Sequence, residues 1–262
     1  MKKVAAVGDN CMDVYDSLDQ AYPGGNPVNV AVYTVRLGGQ ASYTGVVGDD
    51  KYGRIMQDAL SAKNVDISHL RVLPGATAIT HVELKDGDRV FGDYEEGVLK
   101  QFKLTDDDIE FIAGHDLMVT GLWGMIENDL GRIRARGVPI AFDFATKLDD
   151  PVVGIAMPEV DYAFFAYDED DEDFIRDYLK KQHARGPRLA VATLGEKGSL
   201  AYDGRDFTTF GIVPCEVKDT MGAGDSYIAA FLQGVLAGAA LSECMRMGAE
   251  NSSKTISYMG AW

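Results

Sequence analysis

Cysteine is scarce in this chain and widely scattered. Cys11, Cys215 and Cys244 are odd in number and form no CxxC pair, which argues against a disulfide framework and a zinc cluster. They read as reduced thiols of a cytoplasmic protein. Histidine is almost as sparse: His69, His81, His115 and His183 show no HExxH spacing, so metal-hydrolase chemistry lacks its usual ligands and each imidazole reads as a surface or core group. No segment approaches the ~20 apolar residues of a membrane span. The apolar stretch after Lys2 and Lys3 is too short for a secretory signal and runs straight into Asp9. A soluble protein without a membrane partner is expected. Positive charge is in short supply as well. Against 41 Asp and Glu stand only 25 Lys and Arg, a net charge of −16, and no basic run interrupts the excess, so nucleic acid is a poor partner. A small phosphorylated ligand, held by a few amides, a cation and one or two basic side chains, stays admissible. GxxxxGK[ST], the full dinucleotide fingerprint and GxSxG are all missing, which disfavours a P-loop nucleotidase, a nucleotide-cofactor oxidoreductase and a serine hydrolase.

What the chain does contain is apolar residues, 46% of 262, enough for a substantial core. Residues 4–7 form a short apolar run ended by Gly8, the pattern of a buried strand. Residues 26–37 carry Val28, Ala31, Val32 and Val35 at helical spacing, with Pro27 suited to the first turn and Gly38 to the end. A strand over 41–47 and a helix over 52–63 follow. After residue 105 the alternation resumes with a helix to about residue 113, started by Thr105 and Asp108 as a capping box, and with strands near 116–120, 138–143, 161–166 and 188–194. Repeated βα units predict a parallel sheet sandwiched by helices. With no repeats or linkers, residues 1–262 read as a single domain. One segment breaks the rhythm. Residues 77–94 hold two β-rich runs joined by Asp86-Gly87, a hairpin that either covers a site or completes the edge of the main sheet.

Glycine-rich turns sit at several strand-to-helix junctions, where open α/β sheets collect ligands. The most telling is DTMGAGDS at 219–226, which opens a helix with small residues and sets a carboxylate in its first turn. Unpaired amides at a helix start favour an incoming anion, and Asp225 beside them is placed to accept a proton from an attacking hydroxyl; its alternative role is to cap the helix. The acidic run at 168–173, DEDDED, either binds a divalent cation or begins a helix whose far end carries Lys180, Lys181, His183 and Arg185.

Taken in order, the turn bearing Asp13, GGNPVN at 24–29, VGDDKYG at 47–53, TLGEKGS at 193–199 and DTMGAGDS at 219–226 resemble the landmarks of the PfkB, or ribokinase-like, family of carbohydrate kinases over nearly the whole chain. The resemblance implies a three-layer α/β/α sandwich with a mostly parallel sheet and a small β lid. It makes Asp225 the catalytic base and Gly222, Ala223 and Gly224 the anion hole. Asp13, Gly25 and Asn29 match sugar-contacting positions, where a carboxylate and a carboxamide suit vicinal hydroxyls. Thr193 and Gly195 match the nucleotide side, and Lys197 either approaches phosphate or lies simply exposed. ATP and magnesium are implied as cosubstrate and cofactor. Asp219 and Thr220 match positions that in many relatives help hold a monovalent cation, here potassium. The family's Asn-x-x-Glu motif is altered: the matching stretch is Tyr167-Asp168-Glu169-Asp170, so Asp170 substitutes for the Glu in placing magnesium or belongs only to the helix start. The short segment between Asp13 and Gly24 leaves 77–94 as the main lid, expected to be small, and lid strands in this family can pair across a homodimer.

GDNCMDVY, VDISH, DRVFGDYEEGV and the final MGAW lie partly outside the general motifs and resemble the branch that phosphorylates Amadori compounds such as fructoselysine at the 6-hydroxyl. Asp93, Glu95 and Glu96, after the hairpin, either select the cationic nitrogen of such a substrate or are solvated charges. Alternatives are the same chemistry on fructose-asparagine, glucoselysine, fructose or a keto-deoxy acid, or a catalytically silent sugar-binding protein of the same fold.

Overall fold

The computed structural model describes residues 2–18, 20–85 and 88–262. The chain begins with β1 (Lys3–Val7), β2 (Cys11–Tyr15) and β3 (Gln20–Gly24), then α1 (Asn26–Arg36), β4 (Gln40–Gly48), α2 (Lys51–Ala62) and β5 (Leu70–Leu73). Next come β6 (Ile79–Lys85), β7 (Asp88–Glu95), α3 (Asp106–Ala113), β8 (Leu117–Gly121), α4 (Leu130–Arg134), β9 (Ile140–Asp143) and α5 (Pro151–Ala156). It continues through β10 (Tyr162–Ala166), α6 (Glu172–His183), β11 (Leu189–Thr193), β12 (Ser199–Tyr202) and β13 (Phe207–Phe210) to α7 (Ala223–Leu236) and α8 (Leu241–Thr255).

Nine strands form the main sheet in the order β13-β12-β11-β10-β9-β8-β1-β4-β5, all running in one direction except β12, which pairs antiparallel with β11 and β13. Strand β1 is apolar on both faces because both are covered. Val4 and Ala6 pack with α1, α2, α7 and α8; Ala5 and Val7 pack with α3, α4, α5 and α6. That gives the expected three layers. The order reverses between β1 and β8, and an open parallel sheet has its ligand crevice at such a reversal, beyond the carboxyl ends of the strands. The Thr105 and Asp108 capping box forms as read from sequence.

The segment 77–94 does not complete the main sheet. Strands β6 and β7 belong to a second, four-stranded sheet, ordered β3-β2-β6-β7. The proposed turn at Asp86-Gly87 lies outside the described residues. The lid is larger than expected, because residues 11–24, read as a short connection, supply two of its strands. Asp13 therefore lies inside β2, paired with Tyr22 and Thr80, rather than in a turn. A run as short as CMDVY carries no periodic signal that separates a lid strand from a loop.

Gly25 joins β3 of the second sheet to the start of α1. Its φ of +111° lies in the region that favours glycine, and a Cβ there would stand 2.7 Å from the Cα of Asn10. Gly25→Ala is expected to cost about 1–3 kcal/mol, read as a fall of several degrees in the thermal unfolding midpoint; an unchanged midpoint would remove this constraint.

Candidate active site

Three carboxylates meet at the carboxyl edge of the sheet: Asp9 in the turn after β1, Asp143 at the end of β9 and Asp225 in the first turn of α7. The start of α1 holds them together. The side-chain amide of Asn26 donates to Asp143 Oδ2 at 2.8 Å and to Asp225 Oδ1 at 2.6 Å, and its backbone N–H reaches Asp9 Oδ2 at 3.3 Å. Asn29, three residues along the same helix face, donates to Asp225 Oδ2 at 2.6 Å. Asn10 anchors the turn beneath, giving its amide hydrogens to Tyr43 Oη and the Val46 carbonyl.

Burial raises all three carboxyl pKa values. Asp225 reaches about 6, with the Asn29 and Asn26 hydrogen bonds opposing the rise. Asp9 and Asp143 each reach about 7, pushed first by burial and then by the Asp225 charge. At neutral pH Asp225 is thus the most readily ionised of the three, in the first turn of α7 where the helix dipole favours negative charge. Each of its oxygens keeps a lone pair for a substrate hydroxyl.

Gly222 caps α7 with φ +70°. The Ala223 N–H is engaged by the Thr220 carbonyl at 3.2 Å, so of the expected anion hole the amides of Gly222 and Gly224 have no backbone acceptor among the described residues, and neither has that of Asp225 beside them. A Cβ at Gly224 would meet nothing within 4 Å, so the surface above these amides is open. Asp219 accepts the N–H of Met221 at 3.0 Å and of Gly260 at 2.6 Å, which fixes the loop leading into the helix; Thr220 is exposed beside it.

The lid lies over this edge. Residues paired across its strands share a face, so Asp13, Tyr22, Thr80 and Tyr94 lie together. Asp13 is buried, 3.0 Å from where a side chain on Gly24 would begin. Tyr94 feels the charge of Asp9, which places it on the cleft side. Glu95 lies on the other face, 3.6 Å from His81, and Asp93 falls at the irregularity where the β6–β7 register shifts. All three acidic residues read as amine selectors are exposed, and Glu96 lies just beyond the end of β7.

On the far side, Thr193 ends β11 and donates to the Phe165 carbonyl at 3.4 Å, and Gly195 is exposed in the next turn. Lys197 and Asp170, expected on the nucleotide and magnesium sides separately, form an exposed ion pair with each other, which holds the Asp170 carboxyl below its usual range. The helix-start reading of the acidic run holds from Asp171, which caps α6 through the Phe174 N–H at 2.9 Å. Among the described residues no three His, Cys, Asp or Glu side chains are grouped to hold a metal ion, and no helix is long and apolar enough to cross a membrane.

Sequence reasoning missed Asp9, Asn26, Asp143 and Trp262, whose indole N–H donates to Asn29 Oδ1 at 2.7 Å. Asp9 and Asn26 stood inside quoted motifs. Asp143 carried one usable signal, a lone carboxylate closing an apolar strand at the ligand-binding edge.

Folding raises the carboxyl pKa values, so the native state keeps protons that the unfolded chain releases between about pH 4 and 7, and stability falls as pH rises through that window. Asp143→Asn is expected to raise the unfolding midpoint at pH 8, leave it little changed at pH 5 and flatten the slope between. An unaltered slope in thermal melts across this range would mean that Asp143 carries no such penalty.

The model of the pfkB family of carbohydrate kinases matches residues 1–262. The chain is 45% identical over 262 residues to a fructoselysine 6-kinase of Shigella flexneri, covering 100% of both chains. Among solved structures, an Arabidopsis thaliana ribokinase complexed with ribose and ATP superposes with a TM-score of 0.89 at 22% identity, over 99% of this chain and 94% of that one. A putative ribokinase II from E. coli in complex with ATP and Mg2+ gives 0.83 at 20% identity, over 100% and 94%. At such identities the structural likeness establishes the ribokinase-like fold alone, whereas the match along the full sequence establishes more: the chain belongs to the pfkB family of carbohydrate kinases.

Proposed function

We propose that the protein transfers the γ-phosphoryl group of ATP to the 6-hydroxyl of fructoselysine or a closely similar Amadori compound. The observation that carries the chemistry is Asp225, held by two asparagine amides at the open head of α7. The substrate class is supported by full-length similarity to a fructoselysine 6-kinase. In the proposed reaction the 6-hydroxyl donates to Asp225, its oxygen bonds to the γ-phosphorus as the bond to the ADP oxygen breaks, and the hydroxyl proton passes to Asp225. The Gly224 and Asp225 amides and the α7 dipole face the negative charge of the migrating group. A base pKa of about 6 keeps the carboxylate ionised at neutral pH without making it a negligible proton acceptor.

Magnesium, which neutralises phosphate charge when bound, would be held chiefly by ATP itself. The donor set fits that arrangement, because Mg2+ needs only one or two protein carboxylates and retains several waters. Asp170 is available for this role only by releasing Lys197. Potassium at Asp219 and Thr220 belongs to the same reading, since both offer hard oxygen donors beside the loop into α7.

ADP release with MgATP and a panel of fructoselysine, fructose-asparagine, fructose and ribose tests the proposal. Fructoselysine should turn over best, and Asp225→Asn should lose at least about 10²-fold in kcat while still binding ATP. Near-normal turnover in a folded Asp225→Asn protein removes the base assignment; preference for another sugar removes the substrate assignment alone.

Glu95 is engaged with His81, whereas Glu96 follows the end of β7, so we take Glu96 as the residue that meets the ammonium group. Glu96→Gln should raise KM for fructoselysine more than for fructose, whereas Glu95→Gln should leave the ratio unchanged. Equal effects of Glu96→Gln on both substrates would leave the ammonium group without this partner.

A further inference from the structure

Asn29 serves Asp225 only in one of its two amide orientations. With Nδ2 toward Asp225 it donates to the carboxylate; turned over, it would set Oδ1 against a carboxylate oxygen and repel it. Asp225 alone does not set that orientation permanently, because a protonated Asp225 is itself a donor and tolerates either. A group that donates and never accepts, placed on the other side of the amide, removes the ambiguity.

Trp262 is such a group. Its indole N–H, a donor with no acceptor function, meets Asn29 Oδ1 at 2.7 Å, while Asn29 Nδ2 meets Asp225 Oδ2 at 2.6 Å. The segment carrying Trp262 is seated on both helices that build the site. Tyr33 of α1 donates to the Ala261 carbonyl and exchanges a hydrogen bond with Tyr258 at 2.7 Å. Ala261 abuts Gly222 at the head of α7, where a Cβ on the glycine would come within 3.1 Å. The Gly260 N–H binds Asp219, and the Lys63 ammonium stands 5.8 Å from the centre of the Trp262 ring. The indole is therefore wedged between the end of α2, α1 and the loop into α7, with its polar edge turned to Asn29.

We propose that Trp262 is a positioning residue, which locks the Asn29 amide in the orientation that keeps Asp225 ionised and aimed. This rests on Asp225 being the general base. Trp262 touches neither substrate nor the reacting atoms in this assignment; it acts through Asn29. Loss of the indole N–H frees the amide to turn, weakens a hydrogen bond that favours the charged carboxylate and moves the Asp225 pKa upward.

The test replaces Trp262 in the full chain by Phe, and separately by 3-benzothienylalanine, which keeps the bicyclic shape and exchanges N–H for sulfur. Both should lower kcat roughly tenfold, the scale of one hydrogen bond to a charged group, leave KM for ATP within about twofold, and shift the acid limb of the pH–rate profile to higher pH. In an Asn29→Ala background, Trp262→Phe should produce no further shift. A purely structural role would lower the unfolding midpoint and the yield of active protein without moving the acid limb. The benzothienyl variant preserves packing, so it decides the matter even where Trp262→Phe folds poorly: wild-type kcat and an unmoved limb overturn the proposal. Asp225→Asn is run alongside. If it retains turnover, the base assignment has failed; if it is inactive while the Trp262 variants behave as wild type, the positioning role alone has failed.

Discussion

Three carboxylates gathered on one asparagine, Asp9 buried and Asp143 and Asp225 half-buried, form the constraint on which this structure depends. Like charges in a low-dielectric edge of a protein repel strongly and lack the hydration that would offset it. Among the described residues, Asp9, Asp143 and Asp225 have amide hydrogens and helix termini against them, with Asn26 shared among all three. The geometry of the surrounding elements follows. Helix α1 must begin over the carboxyl end of β8, between those of β1 and β9, so that its first residue can reach Asp9 on one side and Asp143 on the other. Helix α7 must start against the same point, beside α1 in the same layer. Gly121, at the end of β8, must lack a side chain, because a Cβ there would lie 2.8 Å from Asn26 Oδ1.

The lid follows from the same edge. Carboxylates gathered for chemistry cannot also be sealed by the main sheet, whose strands end beneath them. The chain covers them with a second sheet drawn from two separated places, residues 11–24 and the β6–β7 hairpin, joined by parallel pairing of β2 with β6. This sheet is amphipathic in an uncommon sense. Met12 and Val14 on one face join the core beside α1 and α2, whereas Asp13, Thr80 and Tyr94 share the face over the cleft. A single lid strand thus anchors the lid to the body and contributes to the site. Coverage of this kind excludes water from a reaction in which water competes with the sugar hydroxyl for the phosphoryl group.

Much of this was legible before any coordinates. The parallel sheet could be read because strands buried on both faces are continuously apolar, as in 4–7 and 188–194, and Thr105 and Asp108 announced their helix through a local hydrogen-bond pattern. The GGNPVN and GAGD motifs located α1 and α7 because glycine and asparagine at a helix start have few other uses. The lid was only half legible: the hairpin carried alternation, but residues 11–15 are too few for a period to emerge. The site was legible residue by residue and not as a network. Asp143 and Trp262 stand 82 and 37 positions from Asp225, and no spacing rule links a strand end or a tail indole to a helix start. The ion pair of Lys197 with Asp170 was hidden for the same reason, since both residues were visible and their proximity was not.

The order in which the three carboxyls ionise favours Asp225 as the proposed base. All are pushed upward by burial, so burial alone does not rank them. The ranking comes from the charge of Asp225, the next cause after burial at Asp9 and Asp143, together with the donors each carboxyl receives. Asp225 receives two side-chain amides, one on each oxygen; Asp143 receives the same Asn26 amide and the Ala145 N–H at 2.8 Å, and Asp9 receives the Asn26 backbone N–H with its Oδ1 unpartnered among the described residues. Asp143 and Asp9 also bear the repulsion of Asp225 once it is ionised, which holds both near 7. At neutral pH the cluster therefore carries its first charge on Asp225, and its neighbours take up or release protons around that charge as coupled groups do. The second Asn amide, on Asn29, distinguishes Asp225 from Asp143, and that amide's orientation is set by Trp262 at the opposite end of the sequence from α1.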